Sequence, residues 1–430
     1  MSKDIRDETA TPAAAPGHRR HRAPRRPVAA LLALLFFFGP ALAFVLGVRP
    51  EAIENRPLAD LPSPTEGWDF FPAFSTWSTD HLPLRAQAVR FNAELSQRVF
   101  GEAPSYGTDP GGPATGIPSG DSSATQTDGA PAAAQYPRVL EGQDGWLYFG
   151  PDVAEPCQAT RSLDEVFHRV DRLRSAVEAS GRTFVVTVAP DKSTMVAGSL
   201  PDTYLGQDCA TERRTAFWET LRATPPTGYL DLRGPLEAAQ EATGDPIYRP
   251  TDTHWGPRGA AVYTEQLATR LDSALMDGTR FVETGPTSQP GDLADMLGLP
   301  HDDPVEGVEL RRDGVTPVGR DSLEVSELSD RPDRVLNETN GAPLFQPRTV
   351  LLGDSFTNAS TAMIGQFFAD LTLLHNEVAA DSPQTVADAL AESDVVVYEI
   401  VERVFIADGG PLLDDASLSA IESTLAANPR

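Results

Sequence analysis

Cysteine is nearly missing: the 430 residues hold only Cys157 and Cys209. That excludes a disulfide-stapled framework, and the lack of any CxxC spacing or Cys/His cluster argues against a metal site. In an oxidising compartment the two are expected to form one disulfide rather than remain buried free thiols. Basic residues are scarce beyond position 27. The first 27 residues hold seven of the 35 Lys and Arg and three of the 62 Asp and Glu, leaving 28 basic against 59 acidic residues. A surface that acidic repels nucleic acid and offers little to anionic lipid headgroups. Solubility is reason enough for it.

Long apolar runs are equally scarce, and the exception is informative. Val28–Val48 carries no charge over 21 residues, enough to cross a bilayer core of ~30 Å. Arg19, Arg20, Arg22, Arg25 and Arg26 precede it, which places the N-terminus in the cytoplasm and everything beyond Arg49 outside. Ala41-Leu42-Ala43 resembles a signal-peptidase site, but the apolar run continues past Ala43, so an uncleaved anchor is expected. Large apolar side chains are nearly missing from 101–135, where Tyr106 and Ile117 stand among mostly Gly, Pro, Ala, Ser, Thr and Asp. That stretch cannot bury enough surface to offset ordering and reads as a disordered insertion. Between anchor and insertion, 49–100 reads as a stalk followed by an aromatic, helix-prone segment with His81 in a capping or packing place.

From Val139 the pattern becomes regular. Ser162 and Glu165 form a capping box, and Leu163, Val166, Phe167, Val170, Leu173 and Val177 recur at helical spacing until Gly181. Phe184–Ala189 reads as an apolar strand, then come a helix around Thr211–Arg222, a strand at Tyr229–Leu232 and a helix after Pro235. The order repeats with strand Thr349–Leu352, helix Thr357–Asp370, strand Leu371–Leu374, helix Pro383–Glu392 and strand Val395–Val401. Wholly apolar strands alternating with helices predict an α/β fold, a parallel sheet with helices on both faces. Residues 302–347 break the alternation and read as an insertion with short strands of its own.

Two motifs carry chemistry. Gly353-Asp354-Ser355-Phe356 ends an apolar strand and opens a helix, so Ser355 falls at a carboxyl strand end beside unpaired helix N–H groups. Thr251-Asp252-Thr253-His254-Trp255 precedes a helix that starts at Pro257 and runs to about Leu275. In an extended segment Asp252 and His254 leave on the same side, so the carboxylate can fix the imidazole tautomer and free its other nitrogen for a proton. Taken alone, the pair reads equally as a helix cap with a packed histidine. Together the residues supply a nucleophile (Ser355), a general base (His254) and its orienter (Asp252).

In these motifs the chain resembles the SGNH-hydrolase-like alginate O-acetyltransferase family of bacterial envelope proteins. Asp80-His81-Leu82-Pro83-Leu84-Arg85, Gly145-Trp146-Leu147, Pro190-Asp191-Lys192, Gly291-Asp292-Leu293 and the segment around Glu402-Arg403 add to the likeness, which spans roughly Trp68 to Phe405. Plain SGNH esterases place the serine first; here the order is permuted, as in this family. The resemblance implies an SGNH-like domain over 136–430 behind a basic tail (1–27) and an anchor (28–48), with the catalytic domain extracytoplasmic on a single-pass protein of the cell membrane. It implies an acetyl group taken onto Ser355 and passed to a hydroxyl of a cell-surface polysaccharide, a membrane-bound O-acyltransferase as acetyl supplier, and neither cofactor nor metal. An acetylesterase using the same triad, and a non-catalytic glycan-binding subunit of an export complex, are the alternative readings. Four further residues are candidates for oxyanion or substrate contact: Asn358 through its amide, Gly291 through a backbone N–H, Lys192 at a strand end, and Arg403 in an ion pair with Glu402. Each has a structural reading beside it, as a helix-face, close-packing, solvent-exposed or ion-paired residue. Trp255 reads as packing.

Overall fold

Successive residues of a strand face opposite ways, and here that alternation builds two cores on one sheet. The computed structural model describes Gly39, residues 61–63, Gly67, 70–81, 136–299, 302–318 and 328–430. The expected tail, the insertion at 101–135, and all of the apolar span except Gly39 lie outside those residues. Among the described residues no helix is long and apolar enough to cross a membrane. A helix at Phe70–Asp80 falls in the aromatic segment, and His81 at its end stacks on Trp77 with ring centroids 4.9 Å apart.

Eleven strands follow in the described residues: β1 Val139–Glu141, β2 Leu147–Phe149, β3 Thr183–Ala189, β4 Tyr229–Leu230, β5 Thr279–Pro290, β6 Asp302–Arg312, β7 Val315–Pro317, β8 Asp333–Thr339, β9 Thr349–Gly353, β10 Asp370–His375 and β11 Val395–Val401. Seven of them form the central sheet in the order β4-β3-β11-β9-β10-β8-β7. The first five run parallel, whereas β8 pairs antiparallel with β10 and β7 antiparallel with β8. The sheet is therefore mixed, not wholly parallel as the alternation predicts. The part of 302–347 that breaks the helix–strand rhythm supplies this edge, where burial along β8 falls to two residues, Val335 and Asn337.

On one face Phe184, Val186 and Val188 of β3, Val350 and Leu352 of β9, and Val396, Tyr398 and Ile400 of β11 pack against helices Leu163–Ala179, Gln207–Ala223, Pro383–Glu392 and Asp415–Ala427. On the other, Val185, Leu351, Val397 and Val401 meet helices Arg233–Thr243 and Pro257–Leu271. The capping box appears as read, with Ser162 Oγ accepting from the Glu165 N–H at 3.2 Å. Cys157 and Cys209 are joined by a disulfide that ties helix Pro151–Cys157 to helix Gln207–Ala223.

The helix expected from Thr357 to Asp370 is broken into Ser355–Asn358, Thr361–Ile364 and a 3-10 turn at Gly365–Phe367. Its sequence explains the break. Thr357-Asn358-Ala359-Ser360-Thr361 is rich in side chains that compete for backbone groups, and Thr361 Oγ1 donates back to the Asn358 carbonyl at 2.7 Å. β5 and β6 form a separate antiparallel ribbon, irregular between Glu283 and Gly285, where Gly285 has φ of 86°. Asp303 of β6 is buried and accepts from the Thr251 N–H and hydroxyl, both at 2.9 Å, so the ribbon holds the loop ahead of His254.

Candidate active site

β3, β9 and β11 end side by side, and Lys192, Ser355 and Arg403 lie just past those ends. The turn after β9 is fixed from two directions. Asp354 Oδ1 accepts from the Phe356 N–H at 2.9 Å as a helix cap, while Oδ2 accepts from the Val401 N–H at 2.7 Å. The Asp354 N–H in turn donates to Glu399 Oε2 at 3.0 Å, and the Thr357 hydroxyl donates to the same oxygen at 2.7 Å. Burial, and then the charge of Asp354, raises Glu399 well above the usual carboxylate range. Gly353 belongs to this clamp, because a Cβ there would collide with Thr357 Oγ1.

The loop ahead of helix Pro257–Leu271 brings His254 against this turn. Its Nε2 lies 2.9 Å from Ser355 Oγ, and its Nδ1 lies 3.0 Å from Asp252 Oδ1. Phe356 seats the imidazole edge-on at 4.9 Å between ring centroids. Trp255, buried against Phe356 and Tyr263, packs as read. Burial alone would lift Asp252, but its hydrogen bond to His254 and the His254 and Arg249 charges outweigh it, leaving a carboxyl pKa of about 2. For His254 burial pulls downward, yet the Asp252 hydrogen bond and the Asp292 and Asp252 charges prevail and raise it above its ordinary value. Among the described residues the backbone N–H of Ser355 has no acceptor in the protein, so it is free to meet an oxyanion beside Oγ.

The four weaker candidates separate. Asn358 is turned away: its Oδ1 accepts from the Leu328 N–H at 2.8 Å. Gly291 supplies close packing, since a Cβ there would overlap the Thr251 carbonyl and hydroxyl. Lys192 is fully buried instead of solvent-exposed, and burial lowers its pKa to about 8. Its ammonium donates to the carbonyls of Arg249, Pro250 and Asp252 at 3.1, 3.2 and 2.5 Å. Arg403 does line the cavity beside Ser355, but its partners are Asp191 at 2.8 Å and Asp152 at 3.5 Å, not Glu402. Glu402 instead pairs with Arg214 at 3.3 Å and accepts from the Asp191 N–H at 2.9 Å.

Asp292 is the site residue that pattern reading passed over. Its Oδ1 accepts from the Thr253 N–H at 2.7 Å, its N–H donates to Asp252 Oδ2 at 3.2 Å, and its Oδ2 lies 3.7 Å from His254 Nδ1. The signal available was Gly291-Asp292-Leu293 itself, read for its glycine. Asp252, His254 and Asp292 bring one atom each within 4.8 Å of one another, a donor set a small cation could share. The contact of Nε2 with Ser355 makes a proton relay the fuller account of the same atoms. Ser355, His254 and Asp292 border a cavity of about 380 Å³, whose wall also carries Phe149, Glu155 and Glu377.

This constellation lies inside a stretch that matches a known family. The model of the SGNH hydrolase-like domain, acetyltransferase AlgX, fits residues 139–393. A probable alginate O-acetylase AlgJ of Pseudomonas fluorescens is 29% identical over 171 residues, 38% of this chain and 42% of that protein. One from Pseudomonas aeruginosa is 24% identical over 239 residues, 51% of this chain and 56% of the relative. The chain thus spans roughly half the length of the curated relatives it matches. Among solved structures, the O-acetyltransferase domain of Pseudomonas putida AlgJ superposes with a TM-score of 0.44 at 18% identity, covering 66% of this chain and 99% of that one. Bacillus cereus PatB1 gives 0.42 at 14% identity, covering 64% and 98%. The family match takes in more than half of the chain and both motifs of the site: the protein belongs to the SGNH hydrolase-like acetyltransferase AlgX family.

Proposed function

We propose that the protein is an envelope O-acetyltransferase that carries an acetyl group on Ser355 and delivers it to a hydroxyl of a cell-surface polysaccharide. The observation that carries this reading is the single imidazole bridging Asp252 and Ser355 at 3.0 and 2.9 Å. Ser355 Oγ attacks the acetyl carbonyl of the donor and passes its proton to His254 Nε2, while Asp252 holds the Nδ1–H and stabilises the imidazolium. The tetrahedral oxyanion faces the unengaged Ser355 N–H. Collapse breaks the bond to the donor's leaving oxygen, which takes the proton back from His254. A sugar hydroxyl then enters, gives its proton to His254 and attacks the acetyl-serine, releasing the acetylated sugar and restoring Ser355. The N-terminal apolar span would keep this chemistry outside the cytoplasm, and a membrane-bound O-acyltransferase would supply the acetyl group.

The test uses the full chain and a chromogenic acetyl ester. Intact-protein mass should show one acetyl added at Ser355, and Ser355→Ala, still folded, should lose activity by a factor on the order of 10⁴ to 10⁶. An alanine variant with near-full turnover overturns the reading. An acetyl-enzyme that reaches only water, whatever sugar is offered, would make the protein an acetylesterase.

A further inference from the structure

One acid on the cavity wall has no part in the relay. Glu155, on helix Pro151–Cys157, lines the cavity that Ser355 and His254 border. Its Oε2 is closed off from solvent and has no hydrogen-bond partner among the described residues. Burial lifts its pKa to about 7; Arg403 pulls it down, and the charges of Asp152, Asp408 and Glu377 push it further up. Leaving a buried carboxyl unpaired costs free energy, and hydrogen bonds donated by a bound molecule would recover it.

The other charged groups on this wall narrow what that molecule is. Both oxygens of Asp354 are taken by backbone N–H groups. Arg403 is already matched by Asp191 and Asp152, and Arg138 is engaged as well. A ligand entering beside Ser355 therefore meets three carboxyl groups, Glu155, Glu377 and Asp292, while the Arg403 charge beside them is shared with Asp191 and Asp152 through Nη1.

Resting on the acetyltransferase reading above, we infer that Glu155 is an acceptor-binding residue, whose carboxyl takes hydrogen bonds from the hydroxyls of a sugar unit that bears no carboxylate. The same group disfavours uronate units, because their carboxylates would be desolvated beside it. The acceptor class is a neutral or N-acetylated glycan.

The experiment measures how the acetyl-enzyme divides its acetyl group between water and sugar. Full-chain protein charged with an acetyl ester is offered chito-oligosaccharides, cello-oligosaccharides or oligouronates of matched length, and acetylated sugar and free acetate are quantified by mass spectrometry. The wild type should acetylate the uncharged oligosaccharides at least about tenfold more than the oligouronates. Glu155→Ala should lower the sugar-to-acetate ratio about tenfold to a hundredfold, the range for losing a hydrogen bond to a charged group. Glu155→Gln, which keeps an acceptor but no charge, should narrow the preference over uronates. Equal use of both acceptor classes by the wild type, or ratios within twofold of wild type in both folded variants, overturns the inference. Absence of any acetyl on Ser355 in the wild type is a different result, and overturns the acetyltransferase reading instead.

Discussion

Lys192 donates its ammonium to the backbone carbonyl of Asp252 at 2.5 Å, and so grips the residue whose Oδ1 lies 3.0 Å from His254 Nδ1. With the Arg249 and Pro250 carbonyls it closes three acceptors of one loop, while Trp146 and Tyr148 cover it at 5.7 and 5.3 Å from their ring centroids. The ammonium is thus a positioning group that acts through Asp252 without reaching the cavity.

Lys192→Met keeps the length of the side chain but leaves three carbonyls without that donor. Stability should fall by about 2–4 kcal/mol, and ester turnover should fall further than unfolding explains. Lys192→Arg should not restore the wild type, because a planar fork cannot converge on the same three oxygens. The pH dependence has a definite sign. A folded-state pKa of about 8, lowered from 10.5 by burial, means the unfolded chain binds more protons between those values. The wild type should therefore gain stability relative to Lys192→Met as pH rises from about 8 to 10.5. Denaturant titrations across that range check it, and a flat difference removes the buried ammonium from the account.

Asp292 governs His254 through charge. In the proposed relay His254 must be neutral to act as base, and its raised pKa then puts the acid limb of kcat/KM above the ordinary histidine value of about 6.5. The stabilisation from protonated His254 is present below that value and is lost as pH rises through the folded pKa. Asp292→Asn keeps an oxygen for the Thr253 N–H but removes a charge that lifts the imidazole. The acid limb should move to lower pH, with pH–rate profiles as the measurement. Asp292 is itself raised by burial and by the charge of Asp252, so the two profiles differ only where Asp292 is ionised. An unmoved limb would detach Asp292 from the base.

Periodicity and motif were enough to place β3, β9, β10 and β11, helix Leu163–Ala179 and the meeting of Asp252, His254 and Ser355 at strand ends. Apolar strands and capped helices carry their structure locally, so the pattern is visible in the chain. What stayed hidden depends on partners distant in sequence. Lys192 is buried because carbonyls 57 to 60 residues away converge on it, and nothing around it in the chain announces that. Glu399 reads as one polar residue in an apolar strand until the Asp354 N–H and Thr357 hydroxyl reach it. The antiparallel edge of β8 and β7 was illegible for the same reason: strand direction is set by the connection, and the sequence of 302–347 carries no regular pattern from which to read it.

Gly291 is where sequence and structure gave a glycine different work, and the difference can be measured. An oxyanion role requires its N–H to face the reacting carbon. Instead its Cα side abuts Thr251, whose carbonyl accepts from the Leu293 and Ala294 N–H groups at 3.1 and 3.2 Å. Thr251 is also the residue that Asp303 fixes from the ribbon. Gly291 has φ of −100°, so alanine suits the backbone and only the added methyl is at issue. Gly291→Ala should push Thr251 and the adjoining Asp252 away from Asp292, at a cost of about 1–3 kcal/mol for overpacking. Ester turnover should fall because the Asp252–His254 geometry loosens, and the fall should come with the loss of stability. Were Gly291 an oxyanion donor, alanine would keep its N–H, and turnover at low temperature, with the variant fully folded, would match the wild type. Thermal unfolding and kcat measured on the same preparations separate the two: a folded variant with unimpaired kcat would remove Gly291 from the support of Asp252.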